Sequence, residues 1–197
     1  MHDGPRAVFA VIWGAWVVSW LVAAFWAART QRRAGTWTEL SYRVLLGAGI
    51  VLMTPWAARQ LAATPLWIPG AVGAYLLAAV TLAGLLFTWW ARIHLGRLWS
   101  GAITRKEGHR IVDSGPYALV RHPIYTGLIA AIVASALAEA TPTALGGAAL
   151  IVLSFWVKAR AEERFLSDEL GAEAYETYRR RVPMLVPRLW HRFSGPT

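Results

Sequence analysis

Long apolar runs separated by short polar segments dominate this chain, and five of them approach the length of a membrane span. A helix needs about 20 mostly apolar residues to cross the hydrocarbon core of a bilayer. The predicted spans cover residues 7–28, 42–61, 69–93, 124–138 and 142–158. Pro55 would kink the second span, the fourth is short, and the fifth continues as helix into solvent through Leu170. The pattern therefore predicts an all-α integral membrane protein with about five transmembrane helices.

Composition supports this assignment and indicates one domain. The chain of 197 residues is 56% hydrophobic and 16% charged, whereas a soluble domain has about a quarter of its residues charged. Within the single domain of residues 1–197, residues 1–66 would hold two spans and residues 67–197 a catalytic-like core. Residues 7–28 are too long for a signal-peptide core, so a retained span is predicted. With no Cys, a disulfide or a thiolate nucleophile is excluded.

The positive charge predicts an orientation in the membrane. The net charge is +9, and the basic residues collect in the loops at 29–43 and 92–121 and in the tail at 179–192. Basic loops face the cytoplasm, so the N-terminus is predicted outside and the C-terminus inside a multi-pass protein of the inner membrane. No separate basic domain or nucleic-acid motif accompanies this charge, so membrane lipids rather than nucleic acid are the expected partner.

Titratable residues gather in the polar segment at residues 115–127, between two long apolar stretches. Polar groups at a membrane boundary are costly and usually functional. Pro123 suits the first turn of the fourth helix, which would place Arg121 and His122 at a helix N-terminus whose dipole favours an anion. The candidate side chains of this segment are those of Tyr117, Arg121, His122 and Tyr125.

A second polar block begins where the fifth helix should leave the membrane. Glu162 and Glu163 would point about 100° apart on a helix, so one can face inward to bind a cation while the other meets Arg160 or water. Both blocks are on the predicted cytoplasmic side, and together they suit a zwitterionic, nucleotide-like ligand. No metal site is predicted, because His94, His109 and His122 lack a ligand spacing on one helical face.

The combination of these two blocks resembles the signature of a known family. Arg-His-Pro-Ile-Tyr-Thr-Gly at residues 121–127, followed by the two glutamates, is similar to the motif of the isoprenylcysteine carboxyl methyltransferase family, which also resembles membrane phospholipid methyltransferases. Similarity extends to residues 95–100, 115–117 and 170–187, which is roughly the C-terminal half of the chain. Five spans agree with the small prokaryotic members of this family.

The resemblance implies S-adenosylmethionine as the methyl donor, bound from the cytoplasmic side in a site formed by the loop before the fourth helix and the C-terminal extension. It also implies a lipophilic acceptor, small or lipidated, such as an isoprenoid carboxylate entering from the bilayer. The cofactor-binding residues it implies are Ile111, Val112, Tyr117, Arg121, His122, Pro123, Tyr125, Glu162 and Glu163. Arg121, His122, Glu162 and Glu163 would also be catalytic, with Arg121 orienting the site or an anionic acceptor and a glutamate meeting the ammonium of the donor.

Several alternatives stay open at this point. His122 could simply cap a helix, Arg121 could be a positive-inside anchor, and the glutamates could pair with Arg160 and Arg164 in solvent, which is worth under about 1 kcal/mol. An NADPH-dependent membrane reductase of the sterol or steroid type is a second enzyme hypothesis. A non-catalytic module that binds a lipid or a protein is a third. The sequence does not select among a carboxylate, an amine and a thiol as acceptor.

Overall fold

The computed structural model describes residues 3–25, 30–33, 36–100, 103–106 and 111–188, and most of them are helical. The helices are α1 Asp3–Ala24, α2 Thr36–Leu52, α3 Pro55–Gln60, α4 Ala71–Leu95, α5 Pro116–Leu119, α6 Pro123–Glu139, α7 Pro142–Leu170 and α8 Ala172–Arg181. Two short strands, β1 Thr30–Arg33 and β2 Thr104–Lys106, pair antiparallel with Thr30 opposite Lys106. The strand pair joins two of the predicted cytoplasmic loops.

Three helices in the described part of the chain are long and apolar enough to cross a membrane. They are Gly4–Ala24, Ala71–Leu95 and Pro142–Glu169, which coincide with the first, third and fifth predicted spans. The other two predicted spans correspond to α2 and α6, which have 17 residues each. The chain is therefore a helical multi-pass membrane protein, and its orientation stays a prediction from the loop charges.

The predicted single, kinked helix over residues 42–61 is wrong. Helix α2 ends at Leu52, and Pro55 begins the separate helix α3. Pro55 has no N–H to donate, which suits a first helical turn, and the Thr54 side chain accepts a hydrogen bond from the Ala57 N–H at 3.2 Å. A Thr-Pro start therefore replaces the expected proline kink.

Close glycine contacts bring the helices together in two pairs, α4 with α6 and α2 with α7. A Cβ atom on Gly84 of α4 would lie 2.6 Å from the carbonyl oxygen of Gly127 on α6. A Cβ atom on Gly49 of α2 would lie 2.7 Å from the carbonyl oxygen of Gly147 on α7. Small residues at such crossings let helix backbones approach closely where lipid gives no hydrophobic driving force. Helices α6 and α7 also contact each other, and Tyr125 of α6 and the two glutamates of α7 are among the polar residues that the sequence singled out.

The segment after α8 runs back across the start of α6. The N–H groups of Arg121 and His122 donate to the carbonyl oxygens of Pro183 at 2.8 Å and Met184 at 3.1 Å. The Thr126 hydroxyl donates to the carbonyl oxygen of the next residue, 185, at 2.7 Å. Residues 182–187, the C-terminal segment, thus lie against the N-terminal end of α6. Their carbonyl oxygens satisfy backbone donors that the first helical turn leaves unpaired.

Candidate active site

The turn that precedes α5 places the polar segment at the end of α4. Gly115 has a φ of +56°, a left-handed conformation that L side chains rarely adopt. A Cβ atom at this position would also lie 2.7 Å from the ring of His94. Pro123 begins α6 at its first turn, as the sequence predicts, and Pro116 likewise begins the short helix α5. The start of α6 brings His122 to the glutamates of α7.

Glu163 of α7 is the centre of a buried charge cluster. Its Oε1 atom accepts from Arg121 Nε at 2.7 Å and lies 3.2 Å from His122 Nε2, while Arg179 Nε is 3.7 Å from its Oε2. The side chains of Arg121, His122 and Glu163 are each less than 10% exposed. The anion expected at the start of α6 is therefore supplied by the protein itself.

Arg121 uses its Nε and one terminal nitrogen in this cluster. Besides Glu163, it donates to the carbonyl oxygens of Arg179, at 3.1 Å, and of Val182. These contacts tie α6 to α8 and to the start of the C-terminal segment. The partner expected for a glutamate in the sequence analysis, Arg160, instead lies over the ring of Trp156 at 5.1 Å. Arg121 is consequently placed to hold the site together.

Glu162 has a different environment from its neighbour. Its Oε2 atom accepts a hydrogen bond from the Tyr125 hydroxyl at 2.7 Å and lies 3.9 Å from His122 Nδ1. Its side chain is 28% exposed, compared with 6% for Glu163. The Tyr125 ring stacks on His122 at a centroid distance of 5.3 Å and on Phe155 at 5.2 Å. This stack fixes the hydroxyl that orients the Glu162 carboxylate.

His122 occupies the N-cap position of α6, but its side chain makes no capping hydrogen bond. The imidazole lies between the two glutamates instead, with one ring nitrogen near each carboxylate. The capping interpretation of His122 is therefore wrong. The alternative in which both glutamates pair in solvent with Arg160 and Arg164 does not describe Glu163, which is buried against other partners.

A cavity of about 240 Å³ opens between α4, α6, α7 and α8. Among the residues implied by the family resemblance, eight line it: Ile111, Val112, Tyr117, Arg121, His122, Pro123, Tyr125 and Glu162. Glu163 lies behind this wall and does not line the cavity. His94 lies on the outside of the site, 3.0 Å from Ser114 Oγ, and His109 lies outside the described residues.

The cavity also has walls to which the sequence analysis gave no role. Trp20, Trp99 and Phe155 are apolar lining residues, and Tyr175 and Tyr178 of α8 also line the cavity. Lys158 of α7 is a further lining residue. The signal for Lys158 was present, because it is an ionisable residue directly after an apolar run of a membrane span.

The tyrosines at the α8 side of the cavity are neutral donors or acceptors. Burial raises the pKa of Tyr117, Tyr175 and Tyr178 above the usual value for a phenol. The Tyr178 hydroxyl donates to the carbonyl oxygen of Tyr117 at 2.8 Å, which joins α8 to α5. This wall therefore offers aromatic faces without negative charge, and the carboxylate in the cavity lining is that of Glu162.

Comparison with known proteins finds a family to which this part of the chain is similar. Residues 76–168 match the isoprenylcysteine carboxyl methyltransferase family. The chain is 35% identical over 168 residues to methanethiol S-methyltransferase 2 of Bradyrhizobium diazoefficiens. The aligned region covers 78% of this chain and 61% of that protein. It is 33% identical over 86 residues to protein-S-isoprenylcysteine O-methyltransferase B of Arabidopsis thaliana, which covers 43% of each chain.

A further relative carries a different kind of name. The cobalt-zinc-cadmium resistance protein CzcN of Cupriavidus metallidurans is 33% identical over 97 residues, covering 48% of this chain and 44% of that protein. The chain thus spans about three fifths or less of the length of these three relatives. The matched segment contains α6, most of α7 and both motifs that form the cavity wall. Residues 76–168 are thus similar to the isoprenylcysteine carboxyl methyltransferase family.

Proposed function

We propose that this protein is an S-adenosylmethionine-dependent methyltransferase of the membrane that acts on a lipophilic acceptor entering from the bilayer. The observation that carries the proposal is the Glu162 carboxylate, fixed by Tyr125 at 2.7 Å and facing a cavity with aromatic walls beside membrane-spanning helices. The family and two relatives named as methyltransferases support the same reaction class. The reductase and the non-catalytic module have no comparable support.

The chemistry of the lining suits this donor. S-adenosylmethionine supplies an electrophilic methyl group on a positively charged sulfur. The Glu162 carboxylate can bind a cationic part of such a ligand, while Ile111, Val112 and Tyr117 offer an apolar and aromatic surface to a purine ring. Glu163, which is held by Arg121 and Arg179, keeps α8 over the cavity and has no lining position.

Positioning and exclusion of water would be the main contributions of the protein. Methyl transfer to a nucleophile gains most from holding the reacting atoms in line and close together. Phe155, Trp20 and Trp99 remove water from the part of the cavity nearest the membrane-spanning helices, where a lipophilic acceptor would bind. Tyr125 and His122, stacked with an interplanar angle of 7°, hold the Glu162 carboxylate in one place.

Calorimetry with S-adenosylhomocysteine tests the donor site in detergent-purified protein. Glu162→Gln removes the charge but keeps the shape, and we expect it to weaken binding by about tenfold or more, which corresponds to about 1.4 kcal/mol. Asp168→Asn is the matched control, because Asp168 is an exposed acid farther along the same helix and should leave affinity unchanged. A folded parent that binds no S-adenosylhomocysteine would refute the proposal, and binding of NADPH instead would favour the reductase.

A further inference from the structure

A second cavity, the α6–α7 groove, has a lining that differs from that of the candidate active site. Its volume is about 660 Å³, and it is lined by Val133 and Ala136 of α6, by residues of α7 between Leu145 and Trp156, and by Leu185 of the C-terminal segment. Among the described residues, the two cavities have no lining residue in common. The groove is therefore a separate feature of the molecule, to which the proposed methyl transfer gives no role.

The surface of the α6–α7 groove is apolar. Of the residues that line it, Trp156 alone has a polar side-chain group, the indole N–H. Leu153 and Trp156 keep 44% and 43% of their surface exposed. Helix α7 is long and apolar enough to span a membrane, so these exposed surfaces would meet hydrocarbon rather than water. An apolar groove in this position suits an acyl chain.

The length of the groove matches one leaflet of a bilayer. The rise from Leu145 to Trp156 along α7 is about 16 Å, at about 1.5 Å per residue. The hydrocarbon core is about 30 Å thick, so the acyl chains of one leaflet extend over about 15 Å. A spanning helix of a partner protein would need a matching surface over the whole core. The groove therefore fits an acyl chain of the leaflet on the Trp156 side better than it fits a partner helix.

Cations follow the groove at its Trp156 end. The Arg160 guanidinium lies over the Trp156 ring, 5.1 Å from its centroid, and the Arg160 side chain is exposed. Stacking uses the face of a guanidinium and leaves the N–H donors at its edge, where they match the oxygens of a phosphate. Arg164, one turn later, is also exposed. In the described chain, the ion pairs of α7 involve its glutamates, and neither arginine takes part in one.

We propose that the α6–α7 groove binds an anionic phospholipid, with one acyl chain along α7 and the phosphate against Arg160. This lipid takes no part in methyl transfer, and the groove would hold it whatever reaction the other cavity supports. Each Arg near the membrane surface adds to the attraction for an anionic lipid. A zwitterionic phospholipid carries a positive group close to its phosphate, so two arginines attract it less. The groove should therefore select phosphatidylglycerol over phosphatidylcholine.

A lipid in the groove would also contact the C-terminal segment. Leu185 lines the groove, and its carbonyl oxygen accepts the hydrogen bond from the Thr126 hydroxyl at 2.7 Å. The same segment accepts the hydrogen bonds of the Arg121 and His122 N–H groups at the start of α6. An acyl chain packed on Leu185 should hold this segment in place. Binding of the lipid should consequently stabilise the folded protein.

Native mass spectrometry of the full chain, released from detergent, tests the head group. Dioleoylphosphatidylglycerol and dioleoylphosphatidylcholine have the same chains and differ in charge. We expect a saturable adduct with one phosphatidylglycerol, at an affinity about fivefold or more above that for phosphatidylcholine. Arg160→Gln should weaken phosphatidylglycerol binding by about fivefold. Arg180→Gln removes the same charge from an exposed position of α8, so this matched control should bind like the parent.

Ala149→Phe tests the acyl chain. Ala149 lines the groove from an exposed position of α7, so the added ring would fill the groove without entering the protein core. We expect phosphatidylglycerol to bind this variant about tenfold more weakly than the parent. Ala83→Phe, at an exposed position of α4 outside the groove, is the control and should bind normally. Glycerol 3-phosphate has the phosphate without the chains, so it should not displace the lipid.

Thermal unfolding in detergent gives a second measurement. A ligand that binds only the folded protein raises its unfolding temperature. Phosphatidylglycerol should therefore raise the unfolding temperature of the parent more than phosphatidylcholine does. Arg160→Gln and Ala149→Phe should each reduce this difference, while Arg180→Gln and Ala83→Phe should preserve it.

Three results would overturn the proposal. The first is equal affinity of the parent for the two phospholipids. The second is unchanged phosphatidylglycerol affinity in both Arg160→Gln and Ala149→Phe. The third is a dimer that excludes the lipid and that Ala149→Phe disrupts, which would assign the groove to a second copy of the chain. S-adenosylhomocysteine binding tests the other cavity, so either proposal can fail while the other stands.

Discussion

The Tyr125 hydroxyl donates a 2.7 Å hydrogen bond to Glu162, which joins α6 to α7 across the cavity. The same Tyr125 ring is held between His122 and Phe155, at centroid distances of 5.3 and 5.2 Å. A rigid aromatic stack therefore determines where the carboxylate in the cavity lining can point. Glu163, one residue later, is not available to a ligand, because its Oε1 atom already contacts Arg121 and His122.

Tyr125→Phe removes this hydrogen bond and preserves the ring stack. A hydrogen bond to a charged group contributes about 1.5–3 kcal/mol. Since about 1.4 kcal/mol is a tenfold change, we expect the affinity for S-adenosylhomocysteine to fall by about tenfold or more. Calorimetry measures the change, and Tyr75→Phe on α4 is the control, since its half-exposed side chain is remote from the cavity lining. Equal affinity in Tyr125→Phe and the parent would show that Glu162 is positioned without Tyr125.

Glu163→Gln should affect stability more than Glu162→Gln does. Removal of one partner from a buried ion pair leaves an uncompensated charge and costs about 3–5 kcal/mol. Arg121 would be that charge, since its side chain is 9% exposed. Unfolding in detergent, followed by circular dichroism, should show a clear loss of stability for Glu163→Gln and little change for Glu162→Gln. Similar unfolding curves for both variants would contradict the separation of structural and ligand-binding roles.

Gly84→Ala should weaken the contact between α4 and α6. The added methyl group would lie 2.6 Å from the Gly127 carbonyl oxygen, so the two backbones would have to move apart. We expect a loss of about 1–3 kcal/mol, as for other overpacked interiors. Gly73→Ala on the same helix is a close control, because nothing lies within 4 Å of its added Cβ atom. If both variants unfold alike, the close helix approach at Gly84 is not required.

Tyr117, Tyr175 and Tyr178 should resist ionisation in the folded protein. Burial raises their pKa values above about 10, the value for an exposed phenol. Below pH 10 these groups are neutral in both the folded and unfolded states; above it, the unfolded chain releases protons that the folded chain retains. Stability should therefore fall as pH rises beyond 10. Tyrosinate absorbance should show these residues titrating only as the protein unfolds, and full titration in the folded state would contradict the buried wall.

Local sequence signals predicted the helices and the face that carries the chemistry. Pro123 and Pro142 begin α6 and α7 as their first-turn preference indicates. The continuation of α7 through Leu170 was also predicted, and it places Glu162 on a helix that leaves the span. The error at Pro55 arose because a proline after an apolar run is compatible with a kink and with a new helix. The preceding Thr54 was the capping signal that decides between them.

Contacts between distant segments could not be predicted from periodicity. Arg121 and Glu163 are separated by 42 residues, and a helical period relates only neighbours on one element. Their pairing depends on how α6 crosses α7, which the packing of whole helices decides. For the same reason, the sequence does not distinguish the two glutamates. In the structure, Glu163 lies in the buried charge cluster and Glu162 lines the cavity.

The hydrogen bonds from residues 121, 122 and 126 to the C-terminal segment have a consequence for biosynthesis. The acceptor carbonyls lie at residues 183–185, so translation completes the described helices α1 to α7 before it supplies these atoms. The spans can enter the bilayer while the donors at the start of α6 still await their partners. A chain that ended after α7 would therefore have a cavity without the wall formed by Tyr175 and Tyr178. Completion of the site therefore needs residues that are synthesised after α7.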